Sequence, residues 1–140
     1  MQTSDLPRHQ LIKSLSTQRH EMGADGAVDL WTPMATQLIL IIGAGGFDSL
    51  YARSVFVSQS SYSWLAARSG PPQTEDQFAD LKISLQAQSP TLAREANCLL
   101  LITFTDILAS MIGERLTSRI LHSAWEIDTQ DSADKEIKNA

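Results

Sequence analysis

The chain reads as all-α: an antiparallel helical bundle of four main helices plus one or two short ones, with no sheet. Three observations predict this. No segment sustains the apolar–polar alternation of a half-buried strand. Apolar residues recur at three- and four-residue spacing in several separate stretches. Clusters of Gly, Pro and Ser punctuate those stretches and leave short connections, as neighbouring helices require.

Residues 1–28 are mostly polar. Leu11, Ile12 and Leu15 support one short amphipathic helix beginning at Pro7, after which Gly23 and Gly26 break the chain. This segment is expected to be a flexible, loosely docked arm, and the bundle itself to span 29–126. Asp29 opens a helical run in which Leu30, Met34, Leu38 and Ile41 share a stripe, with Trp31, Ala35 and Ile42 beside it. Pro33 falls in its first turn, or Thr32 caps a slightly later start. Gly43-Ala44-Gly45-Gly46 ends that run, and Asp48 is placed to cap the next, with Leu50, Tyr51, Ser54 and Val55 inward and Arg53 elsewhere. Tyr62-Ser63-Trp64-Leu65 forms an apolar turn against one end of the core, and Ser69-Gly70-Pro71-Pro72 is a loop. Thr74 and Gln77 have the spacing of a capping box, followed by a stripe of Phe78, Leu81 and Leu85.

The stretch 91–112 organises the rest. Ser89 can cap it and Pro90 fits the first helical position, where no N–H is needed. Ala93, Ala96, Leu100, Phe104, Ile107, Leu108 and Met111 fall on one face, and Leu101, Ile102 and Ile112 add apolar surface elsewhere, so the helix is expected to be covered on more than one side. At about 1.5 Å per residue it would be about 33 Å long. Gly113 ends or bends it. A last helix over 114–125 is predicted to bury Leu116, Ile120, Leu121, Ala124 and Trp125 while Ser118, Arg119 and His122 stay wet. Residues 127–140 form a charged tail expected to be disordered. There is also a faint echo: Ile42-Gly43 precedes Leu50 and Arg53, as Ile112-Gly113 precedes Leu116 and Arg119. Four residues are inserted in the first copy, and chance explains the match.

Composition narrows the function classes. A net charge of −5 with scattered Lys and Arg lacks the footprint of a nucleic-acid binder. The single cysteine, Cys98, excludes an internal disulfide and argues for a reducing compartment; within the central helix it reads as a buried, inert thiol. Arg94, Glu95 and Asp106 interrupt the central helix and leave its apolar run short of a membrane span. Residues 1–15 carry no continuous apolar stretch of a signal peptide, so the expected location is cytoplasmic.

The stretch over 38–49, LILIIGAGGFDS, begins like a dinucleotide-binding strand and phosphate loop. The fingerprint then requires glycine where Asp48 or Ser49 stands, and an aspartate there would repel a pyrophosphate. A helix–glycine–helix corner accounts for it. His9, His20 and His122 do not provide the exposed mid-helix histidine of a phosphotransfer domain, and they are too far apart in sequence to form a metal cluster. Glu75-Asp76 suits a helix N-terminus. No catalytic, cofactor-binding or metal residue is therefore assigned, and no enzyme activity is expected.

Two readings remain. The surplus apolar surface of the central helix favours a protein–protein interaction module, homodimeric first. The alternative is a small-molecule sensor whose apolar pocket is lined near Tyr51, Trp64, Asn97 and Thr103, with Trp31 as a further wall; the plainer reading of Asn97 and Thr103 is satisfied hydrogen bonding inside the bundle. Asp106 is a candidate ion-pair partner for Arg53 or Arg119.

The runs Gly45-Gly46-Phe47-Asp48-Ser49-Leu50-Tyr51-Ala52-Arg53, Phe104-Thr105-Asp106-Ile107-Leu108, Ile112-Gly113-Glu114-Arg115-Leu116-Thr117-Ser118-Arg119-Ile120-Leu121 and Ala124-Trp125 resemble a group of short, uncharacterised proteobacterial helical proteins and domains. That group is associated with sensor-kinase and response-regulator systems. The resemblance covers about 30–125 and implies a signalling role with a bacterial signalling protein as partner. It supplies no catalytic residue.

Overall fold

The computed structural model describes residues 5–18, 23–65 and 78–125. Among them are five helices and no strand: α1 (Asp5–Gln18), α2 (Gly23–Ser58), α3 (Ala79–Gln86), α4 (Pro90–Ile112) and α5 (Glu114–Ala124). The protein is all-α. Helix α4 packs against each of the other four, and α2 also touches α3 and α5.

The start of α4 follows from local chemistry. Ser89 is extended, its hydroxyl accepts a hydrogen bond from the Leu92 backbone N–H at 3.2 Å, and Pro90 occupies the first turn. The helix buries Ala93, Ala96, Asn97, Leu100, Leu101, Phe104, Thr105 and Leu108, a band wider than one stripe because it has neighbours on several sides. Met111, expected inside, is exposed, as are Ile41 and Leu116. In the last helix Thr117 takes the inward position instead, its hydroxyl donating to the Gly113 carbonyl at 2.8 Å.

The break after Ile42 is real, although helix resumes at once. Gly43 has φ 82° and ψ 160°, and Gly113 has φ 99° and ψ 150°. Both values lie where only glycine is comfortable. The sequence echo around these two glycines thus extends to the backbone: each links two helices through the same unusual conformation, and the arginines that follow, Arg53 and Arg119, are both exposed. Helix α2 accordingly has a first arm over 23–42 and a second over 44–58. Asp48 lies within the second arm and is not its cap.

Other expectations at the N-terminal side need correction. The first arm of α2 starts at Gly23, so Gly23 and Gly26 do not break the chain there and the division at residue 28 falls inside a helix. Pro33 lies well inside that arm, and Thr32 is no cap. Helix α1 is packed on α4 with Ile12 fully buried, so it is not a loose arm. The capping box at Thr74 and Gln77, the loop at 69–72 and the tail at 127–140 lie outside the described residues.

By length and mean hydropathy, α2 over Gly26–Ser58 (1.4) and α4 over Pro90–Ile112 (1.5) are each apolar enough to cross a membrane, charged residues notwithstanding. The core helix of a soluble protein meets the same test.

The core is aromatic at its centre. Trp31, Phe47, Tyr51, Phe78 and Phe104 form one cluster, with Trp31 edge-on to Tyr51 at 5.3 Å and to Phe104 at 5.2 Å between centroids, and Phe47 stacked on Tyr51 at 6.0 Å. Phe78, just before α3, stands edge-on to Tyr51 at 5.6 Å. Such pairs add about 0.5–1.5 kcal/mol each beyond the area they bury. Leu65 plugs this core from the turn after α2, with Tyr62 and Trp64 half-buried beside it.

Candidate functional site

Among the described residues, two of the four predicted to line a pocket, Tyr51 and Asn97, are separated by an indole ring. Tyr51 and Asn97 both meet Trp31, which fills the space between them: its ring touches Tyr51, and its Nε1 donates to Asn97 Oδ1 at 2.8 Å. Asn97 is therefore a satisfied polar group in the core. Trp64 stacks edge-on against Tyr62 at 5.7 Å, and Thr103 is half-buried on α4. None of the four lines either of the two surface clefts described below. A second indole is tied similarly, Trp125 Nε1 donating to the Leu30 carbonyl at 2.7 Å, which fixes the end of α5 to α2.

Among the described residues a polar cluster lies elsewhere, around an arginine that no local sequence pattern marks. Arg8 of α1 is 3% exposed. Its Nε and Nη2 donate to Glu114 at 2.8 and 3.0 Å, and its Nη1 donates to Asp106 at 2.7 Å and to Thr105 Oγ1 at 2.9 Å. Burial pulls its pKa down, but the hydrogen bonds and charges of Glu114 and Asp106 outweigh that and leave it above the usual arginine value. His9 Nε2 lies 2.8 Å from the same Asp106 oxygen. Asp106 thus takes Arg8 and His9, not Arg53 or Arg119. Thr105, the inward threonine of α4, also donates to the Leu101 carbonyl at 2.9 Å. This constellation joins α1 to the corner between α4 and α5. Among the described residues no group of three or more His, Cys, Asp or Glu side chains is placed to hold a metal ion.

The surface offers a different kind of site. The second arm of α2 presents large apolar side chains to solvent, Phe56 at 75% exposed and Val57 at 45%, while Leu40 reaches 83% just before the corner. Gly45, Ser49 and Ala52 are also exposed and precede Phe56 at four-, three- and four-residue steps, which puts them on one side of the helix. A Cβ added at Gly45 would meet nothing within 4 Å. Beside this stripe runs an apolar cleft of about 530 Å³, lined by Gly46, Ser49, Leu50, Arg53, Ile107 and Met111. The two ends of the stripe are unlike: a hollow floored by glycines at one end, a protruding phenyl ring at the other.

Cys98 is half-buried on α4, and burial pushes its thiol pKa up, with Ser16, Lys13 and Arg94 offsetting part of that rise. The sequence suggested a buried thiol, whereas Cys98 keeps part of its surface on a cleft.

No known protein family matches this chain, and no curated protein or solved structure is significantly similar to it.

Proposed function

We propose that the protein is a non-enzymatic, cytoplasmic interaction module, an antiparallel helical bundle around α4 that pairs with a second copy of itself through the second arm of α2. The carrying observation is the stripe Gly45–Ser49–Ala52–Phe56. Small residues allow a neighbouring helix to approach closely, and an exposed phenyl ring supplies the apolar area that drives association. The stripe is self-complementary. Gly45 and Phe56 lie about 16 Å apart along the helix axis, so two copies crossing in opposite directions about a two-fold axis would each set Phe56 over the partner's glycine hollow. The adjoining cleft gives the ring room. A bacterial signalling protein as a further partner rests on the resemblance of the 45–53 and 104–125 runs alone.

Sedimentation equilibrium tests the pairing. The expected result is a dimer at tens of micromolar, converted to monomer by Phe56→Ala and by Gly45→Leu with helical circular dichroism unchanged. Gly45→Leu is the sharper probe because the monomer has open space there and the dimer would not. A monomeric wild-type chain, a dimer indifferent to both substitutions, or a chain that floats with phosphatidylcholine vesicles would each overturn the reading.

A further inference from the structure

Between α1 and α4 runs a second cleft, of about 420 Å³, which shares no residue with the α2 stripe. Its apolar wall is Leu99 and Ile102 of α4, with the Cys98 thiol beside them. Its polar wall is unusual for an acidic chain, because Lys13 and Arg94 both line it and neither has a carboxylate partner among the described residues. Arg94 Nε is buried with no hydrogen-bond partner. Ser16, only 6% exposed, lines the same cleft, and its Oγ is likewise without a partner of ordinary geometry. Buried donors normally find acceptors, and the Arg94 Nε, beside a Ser16 hydroxyl whose neighbour is the Cys98 thiol, asks for a ligand that brings one. Glu95 sits at the exposed rim, which leaves the lining with one net positive charge. Thr17 also lines the cleft, but its hydroxyl already donates to the Lys13 carbonyl at 3.0 Å.

We propose that this cleft binds a small amphiphilic carboxylate, its head between Arg94, Lys13 and Ser16 and its short apolar body along Leu99 and Ile102. A carboxylate suits a guanidinium edge because it can accept two parallel N–H bonds at once. An apolar body suits the rest, since the long sides of the cleft offer methyl and methylene groups to a chain that would otherwise face water. An inorganic anion would satisfy the head and leave that wall unused.

Calorimetric titration of the full chain with sodium octanoate is the test, with 1-octanol and inorganic phosphate as comparison probes. One saturable octanoate site per chain is expected, weakened at least tenfold by Arg94→Gln and severalfold by Lys13→Gln. Lys13 is exposed, so its variant keeps the question open should Arg94→Gln fail to fold. Octanoate is also expected to slow alkylation of Cys98 by iodoacetamide in step with occupancy, a readout that surface adsorption would not give. Absence of a saturable site, equal binding of octanol, equal binding of phosphate, or octanoate binding unchanged in Lys13→Gln would overturn the proposal.

Discussion

Toward α2, helix α4 meets aromatic rings: Phe104 packs against Trp31 and Phe47, and a polar tie there, Asn97 to the Trp31 indole, is neutral. Toward α1 it offers Thr105 and Asp106 to a buried guanidinium, and a cleft remains open alongside. The first joint is held by area removed from water, which has no preferred direction and tolerates small shifts. The second is held by a few charge-assisted hydrogen bonds, which fix one geometry and fail together. One helix therefore serves as a hydrophobic wall on one side and as a template for polar registration on the other.

Two substitutions separate the joints, and two more probe the corner inside α2. Phe104→Ala should have the largest effect, about 3–5 kcal/mol lost in urea denaturation, since the ring is fully buried at the centre of the cluster. A loss under 1 kcal/mol would mean the aromatic joint is not the stabilising one. Arg8→Met should cost about 1–3 kcal/mol, less than a fully buried pair would, because Asp106 and Glu114 keep some exposure and can be solvated once the cation is gone. Its signature is local: amide exchange should speed up in α1 while the α2–α4 core stays protected. Exchange that rises uniformly would show that the two joints unfold as one. At the corner after the first arm of α2, two neighbouring glycines should respond with opposite signs, the smaller effect at Gly45. Gly43→Ala should cost about 1–3 kcal/mol, because alanine must adopt a φ of 82° there. Gly45→Ala, two residues on, should stabilise by about 0.5–1 kcal/mol, being helical with open space around the added methyl. Equal effects at the two positions would refute the corner geometry.

The same contrast explains what the sequence disclosed. The aromatic joint was legible because its residues repeat at helical spacing: Leu30, Trp31, Met34, Leu38, Phe104 and Leu108 were all placed inward and all are buried. The Ser89-Pro90 start was legible because capping is decided within four residues. The polar joint was not. Arg8 stands in a weakly apolar segment, and its partners lie 98 and 106 residues away, beyond any local pattern. Sequence position puts Thr103 on or beside the apolar face of α4, and it is only half-buried. The buried threonine, Thr105, stands four residues after Leu101 and three before Leu108, on a face that only the docking of α1 makes internal. Likewise Met111, Ile41 and Leu116 continue apolar stripes past the point where a neighbouring helix covers them.

The guanidinium of Arg8 has a consequence for the chain as it is made. Its acceptors Asp106 and Glu114 follow it by 98 and 106 residues, so during synthesis α1 cannot make these bonds until the corner between α4 and α5 has emerged. Polar registration of α1 therefore comes after α4 and α5 are made, a latch thrown only when the corner that receives it exists.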